Sequence, residues 1–261
     1  MGELAINNVY LGDSNELIKL LDDKSIDCIY TDVPYLYECG GGGSSPVALR
    51  IRANADRLAE AGIDKGFDYD IFNEFARVMK KCNLFIWCSK LQLFDIANWW
   101  LEWARKKNVR LNYEILVWNK TNPTPATNNT WLPDTEYCLY FRETGVKLND
   151  GYENKHKFYV SGLNVIDKNN YEHPTCKPFE FVEKHLLHVT QPGDVVLDPF
   201  AGSGTTLLAC KRNGRNYIGF EIDPHWVDVM KDRLNGINVH GEMNLLDVDY
   251  EQLSLFDEGK E

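Results

Sequence analysis

Six short apolar runs, at 27–31, 83–88, 113–118, 136–141, 195–197 and 217–220, constrain this chain most. They are largely apolar instead of strictly alternating, so each expects neighbours on both faces. Helix-patterned stretches lie among them, at 14–21, 70–81, 91–106, 178–189, 205–213 and 224–234. Strands buried on both faces and alternating with helices predict an α/β chain, a mostly parallel sheet with helices on both faces. The 261 residues, 44% hydrophobic and 26% charged, supply enough apolar material for one large domain. A single domain over 1–246 is expected, followed by a flexible acidic tail at 247–261. No stretch approaches ~20 uninterrupted apolar residues, and the N-terminus lacks a basic start and an apolar core segment.

Seven cysteines are scattered without a C-x-x-C pair. That pattern points to reduced thiols and a cytoplasmic protein, with no metal site expected. The formal net charge of −11 is uneven: −6 over 1–44, +2 over 45–190 and −7 over 191–261. The middle third is therefore the region least hostile to a phosphate backbone. Its densest basic groups, Lys80-Lys81, Arg105-Lys106-Lys107 and Arg110, read singly as solvated helix ends.

The run at 195–197 ends in Asp198 and continues Pro199-Phe200-Ala201-Gly202-Ser203-Gly204-Thr205-Thr206. Glycines let the backbone approach a ligand, and the helix opening at Thr205 offers free N–H groups. Glu221, seventeen residues after Gly204, ends the next apolar run, where an acid can accept bonds from both hydroxyls of a ribose. A nucleoside-bearing cofactor fits this pattern. A P-loop does not, because Thr205 stands where its lysine belongs, and a dinucleotide site would want a small residue in place of Leu207.

Near the N-terminus, Tyr30-Thr31-Asp32-Val33-Pro34-Tyr35 closes another apolar run. To methylate an exocyclic amine, an enzyme must hold the NH2 group and its lone pair. A carboxylate (Asp32) and a backbone carbonyl (Val33) do that; Pro34 biases Val33 toward extended geometry, and Tyr35 offers a ring for a base to stack on.

Taken together, these motifs resemble amino-directed DNA methyltransferases, acting on N6 of adenine or N4 of cytosine. Asp-Pro-Phe-Ala-Gly-Ser-Gly resembles their S-adenosyl-L-methionine (AdoMet) motif. Asp32-Val33-Pro34-Tyr35 resembles their Asp-Pro-Pro-Tyr motif, with Val33 in place of the first proline. The catalytic motif comes first and the cofactor motif last, about 160 residues apart, as in the circularly permuted β-group. The resemblance spans residues 7–240 and extends to segments of a phage- or prophage-type branch. It implies a Rossmann-like fold and double-stranded DNA as substrate. The target-recognition segment falls at about 100–170. The implied catalytic residues are Asp32, Val33, Pro34 and Tyr35. The implied cofactor residues are Asp13, Thr175, Lys177, Asp198, Phe200, Gly202, Ser203, Gly204, Thr205 and Glu221. Asp at position 32 favours adenine over cytosine; methylation of cytosine N4, or of an amine in RNA or protein, is the alternative chemistry.

Two further expectations concern partners and movement. Gly40–Gly43 reads as a loop that closes over substrate. Gln252-Leu253-Ser254-Leu255-Phe256 resembles the peptide by which replication proteins dock on the bacterial sliding clamp, with Gln252, Leu255 and Phe256 as anchors. β-group members are often homodimers. The rival from another class is a DNA- or clamp-binding homologue with weak turnover, motivated by Val33 and the net acidity.

Overall fold

The computed structural model describes residues 4–36, 66–123, 131–149, 155–163, 169–172 and 176–244. The expected Gly40–Gly43 closing loop, Thr175 and the clamp-like tail lie outside the described residues.

Every residue of Asn83–Cys88 is buried. Leu84, Ile86 and Cys88 project into one apolar cluster, and Phe85 and Trp87 into another. This is the alternation of a strand sandwiched between two helical layers. Numbered along the chain, the strands are β1 Asn8–Leu11, β2 Cys28–Asp32, β3 Asn83–Cys88, β4 Leu111–Lys120, β5 Thr135–Glu143, β6 Phe158–Ser161, β7 Val195–Asp198 and β8 Asn216–Glu221. The α-helices are α1 Ser14–Leu17, α2 Ile71–Val78, α3 Leu93–Lys107, α4 Phe179–Val189, α5 Thr205–Arg212 and α6 Pro224–Leu234. Among the described residues the eight strands form one sheet in the order β1-β8-β7-β2-β3-β5-β4-β6. The pairings are parallel except where β5 runs against β3 and β4.

Helices α2 and α3 bury Phe72, Phe75, Ile96 and Trp100 on one face of the sheet. Helices α4, α5 and α6 bury Phe181, Leu186, Leu207, Leu208 and Met230 on the other. The expected α/β class and helix-covered, mostly parallel sheet are what the chain forms. Among the described residues no helix is long and apolar enough to cross a membrane.

Several boundaries differ from the sequence expectation. The helix expected over 70–81 ends at Val78, because Met79 turns extended and bridges to Ile26, whose carbonyl accepts from the Lys80 N–H. The segment 14–21 splits into α1 and a 3-10 turn at Ile18–Leu20. β1 and β6 are additional four-residue strands at the sheet edges. Three strands of the expected recognition segment, β4, β5 and β6, belong to the main sheet.

Candidate active site

β2 and β7 lie side by side and parallel, pairing Cys28 with Val196 and Ile29 with Leu197. From β7 the chain proceeds through α5 to β8 on one side; from β2 it proceeds to β3 on the other. Between them the winding reverses, and a crevice opens beyond the carboxyl ends of both strands. The two strand-terminal acids, Asp32 and Asp198, are thereby brought together from opposite ends of the sequence. A cleft of about 540 Å³ occupies this position. It is lined by Asp13, Asp32, Val33, Pro34, Tyr35, Lys177, Asp198, Phe200, Gly202, Ser203, Thr205 and Glu221, which are the expected site residues apart from Gly204 and Thr175.

The glycine turn is shaped by its packing. Gly202 and Gly204 have φ of 50° and 78°. A Cβ on Gly204 would stand 2.5 Å from Met230 Cγ, so α6 can approach only a glycine here. Beneath the turn lies Arg233, fully buried. Its Nη1 donates to the Ser203 carbonyl (3.3 Å), Ser203 Oγ (3.2 Å) and Thr205 Oγ1 (2.9 Å), while its guanidinium stacks 4.3 Å from the Tyr171 ring. The hydroxyl oxygens of Ser203 and Thr205 are thus engaged from below, and what the turn offers the cleft is mainly backbone.

Glu221 ends β8 with its carboxylate gripped by backbone. Oε2 accepts from the Gly202 N–H (2.9 Å), and Oε1 accepts from Ile222 (2.9 Å) and Asp223 (3.0 Å). Burial raises its pKa, and these N–H groups pull it back. Asp198 is deeply buried; burial lifts it to about 7 against the opposing pull of the Thr206 and Thr31 hydroxyls and the Phe200 N–H. Asp13 caps α1, its Oδ1 accepting from the Asn15 N–H at 2.8 Å. Ser14 Oγ donates to the Pro199 carbonyl and ties that cap to the β7 turn.

On the other wall, Gln92 braces the Asp32–Tyr35 segment. Its Nε2 donates to the Pro34 carbonyl (2.9 Å) and its Oε1 accepts from the Ser89 N–H (3.1 Å). The Val33 side chain is buried in the α2/α3 core. Lys177 Nζ lies 2.5 Å from Asp32 Oδ2 and 3.2 Å from Glu136 Oε2, with Tyr35 and Trp87 rings about it at 5.1 and 5.3 Å. Asp32 Oδ1 is buried with no protein hydrogen-bond partner. Burial raises the Asp32 pKa, opposed by Lys177.

Sequence reasoning did not single out Glu136, Gln92 or Arg233. Glu136 is held by Lys120 at 2.6 Å as well as by Lys177. Burial would raise its pKa, but the two lysines bring it down to about 2. No periodicity announces such residues, because each acts across elements far apart in sequence.

Comparisons with known proteins agree with this geometry. The profile of the N6/N4 methylase family, described as DNA methylase, matches residues 26–232. The chain is 28% identical to the type II methyltransferase M.HinfI of Haemophilus influenzae, over 89% of this chain and 69% of that protein. It is 30% identical to the type II methyltransferase M2.LlaDCHI of Lactococcus lactis subsp. cremoris, over 85% and 87%. Among solved structures, the M1.HpyAVI–SAM complex superimposes with a TM-score of 0.62 at 26% identity, covering 87% of this chain and 99% of that one. The cytosine-N4-specific PvuII DNA methyltransferase shares the fold, with a TM-score of 0.60 at 19% identity over 87% of this chain and 86% of that one.

Proposed function

This chain belongs to the N6/N4 DNA methylase family and transfers methyl groups from AdoMet to DNA; from that premise we propose that Asp32 receives the amine of a flipped adenine and that N6 is the atom methylated. The observation that carries this reading is Asp32 Oδ1, a buried carboxylate oxygen without a protein partner in the same cleft as the Gly202–Gly204 turn. A buried acceptor left unpaired is costly, so a donor supplied by the substrate is its natural complement.

The cleft suits the cofactor. Its volume lies within the range of small-molecule sites. Glu221 is held in place by backbone N–H groups, which leaves acceptor capacity for ribose hydroxyls. Ile222, Phe200 and Trp226 provide apolar lining for a purine, and the turn at the start of α5 provides backbone N–H groups for the carboxylate of the amino-acid moiety. Asp13, Ser203, Thr205, Lys177 and Asp198 shape the walls, and Thr175 is proposed to join them. When bound, AdoMet supplies an electrophilic methyl group whose sulfur leaves as a neutral thioether.

The chain's own task is then placement and proton management. Flipping the base costs roughly a few kcal/mol. Tyr35 stacks on the extruded ring while Asp32 Oδ1 and the Val33 carbonyl accept from the two N6 protons. Held so, the amine directs its lone pair at the methyl carbon, which contributes by orientation. One amine proton becomes acidic as the N–C bond forms and passes to Asp32, whose burial makes it a better acceptor than an ordinary carboxylate. An aspartate at position 32 favours adenine over cytosine.

Transfer of labelled methyl groups to duplex DNA, followed by nucleoside analysis, tests the assignment. N6-methyladenine is expected; N4-methylcytosine would overturn the choice of base. Asp32→Asn is expected to lose at least ~100-fold in turnover while retaining AdoMet, and undiminished turnover would overturn the role of Asp32.

The recognition surface is proposed to lie in the connections between β4, β5 and β6, whose strands are committed to the sheet. Gln252, Leu255 and Phe256 are proposed to dock a sliding clamp; equal retention of the wild type and a Leu255→Ala/Phe256→Ala variant on immobilised clamp would refute this. A homodimer, frequent among β-group members, is proposed as well and would appear in the sedimented mass. Action in the cytoplasm accords with six buried cysteines that form no disulfide among the described residues.

A further inference from the structure

We infer that Glu136 is a positioning residue for methyl transfer: braced by Lys120, it draws the Lys177 ammonium onto one oxygen of Asp32 and so keeps the other open to the substrate amine. The inference rests on the reading of Asp32 given above and adds residues on β4 and β5 that the reading does not require.

Four charged groups of alternating sign form a line. Lys120 Nζ lies 2.6 Å from Glu136 Oε1, Glu136 Oε2 lies 3.2 Å from Lys177 Nζ, and Lys177 Nζ lies 2.5 Å from Asp32 Oδ2. Their side chains are 14%, 21%, 6% and 26% exposed in that order, so water screens the line little. Each Glu136 oxygen serves a different lysine. That division fixes Lys177, whose flexible stem and three donors otherwise allow it to span both Asp32 oxygens. Spanning would occupy Oδ1, the oxygen the amine needs. Glu136 also steadies the stacking ring, since the Tyr35 hydroxyl points at Oε2 from 3.5 Å.

The ends of the line are expected to act on Asp32 in opposite directions. Among the described residues, the titratable groups facing Asp32 are Lys177, Glu136 and Cys138 of β5, Cys88 of β3, Asp198 of β7, Tyr30 of its own strand, and Tyr35. The Glu136 anion favours the protonated form of Asp32, and Lys177 opposes it. Removing the Glu136 charge therefore makes Asp32 ionise at lower pH. Removing Lys120 leaves the Glu136 charge less compensated and makes Asp32 ionise at higher pH.

The experiment measures kcat against pH at saturating DNA and AdoMet for Glu136→Gln, Glu136→Asp, Lys120→Met and Asp32→Asn in the full chain, with AdoMet affinity by calorimetry. For Glu136→Gln, kcat is expected to fall roughly 10- to 100-fold with AdoMet affinity unchanged. The acid limb of its profile should move to lower pH. Glu136→Asp should recover part of the loss. Lys120→Met should move the acid limb to higher pH. Acid limbs that stay in place, or that move the same way in Glu136→Gln and Lys120→Met, would overturn the inference while Asp32→Asn remains inactive. An active Asp32→Asn would instead overturn the reading on which it rests.

Discussion

Asp198 and Asp32 end neighbouring strands, and burial raises both carboxyls, yet their surroundings assign them different work. Asp32 has a lysine on one oxygen, and the other is buried without a hydrogen-bond partner. Asp198 is closed in by Thr206, Thr31 and the Phe200 N–H and has no lysine; it titrates near 7. Its consequence is for stability. An unfolded aspartate ionises near 4, whereas the folded one keeps its proton to about 7. Between those values the unfolded chain binds fewer protons, so stability falls as pH rises, by roughly 4 kcal/mol at most from this group. Asp198→Asn removes the dependence. In urea unfolding, the stability advantage of the wild type over this variant should therefore shrink between pH 5 and pH 8; a constant difference would show that Asp198 is ionised throughout. Below both pKa values the two proteins differ only in packing and hydrogen bonding.

The glycine turn entering α5 is the element on which the proposed cofactor wall depends, and its tolerance is set by α6. Gly204→Ala must hold an L-residue at φ 78° and thrust a methyl group against Met230. A loss of about 2–4 kcal/mol is expected from strain and overpacking combined. Met230→Ala in the same chain should restore only the packing part, leaving the double variant less impaired than the two single losses added. Additive losses in denaturant unfolding would mean that the contact with α6 is unimportant. This turn was legible in the sequence because strand, acid, glycines and helix lie in one continuous stretch. The central strands were legible for a related reason: burial on both faces leaves uninterrupted apolar runs. Edge strands β1 and β6 were not, since four residues of mixed burial carry no such signature and acquire their conformation by pairing with β8 and β4. Arg233 and Glu136 read as ordinary surface charges in a helix and at a strand end; only the approach of α6 to the turn, and of β5 to the loop before α4, shows them to be buried braces.

At the scale of the whole molecule, the direction of the sheet decides which charges can meet DNA. The proposed catalytic and cofactor walls both lie beyond the carboxyl ends of β2 and β7, so on that proposal duplex DNA approaches that edge. The densest basic groups of the sequence lie elsewhere. Lys80 and Lys81 precede β3, Arg105, Lys106 and Lys107 end α3, and Arg110 precedes β4, all at the amino edge, where Lys80 is paired with Asp27 at 2.8 Å. Lys90, by contrast, is exposed two residues beyond the carboxyl end of β3, beside the Gln92 that braces Pro34. A lysine engaging a DNA phosphate releases about one condensed counterion, which appears in the slope of log K against log salt. Lys90→Ala is accordingly expected to reduce that slope by roughly 1 in fluorescence-anisotropy titrations, with similar weakening on any DNA sequence. Lys106→Ala/Lys107→Ala should leave the slope as it is. The reverse pattern would place the duplex at the amino edge of the sheet, on the far side from Asp32, and methyl transfer to a base extruded there would have no route to the cleft.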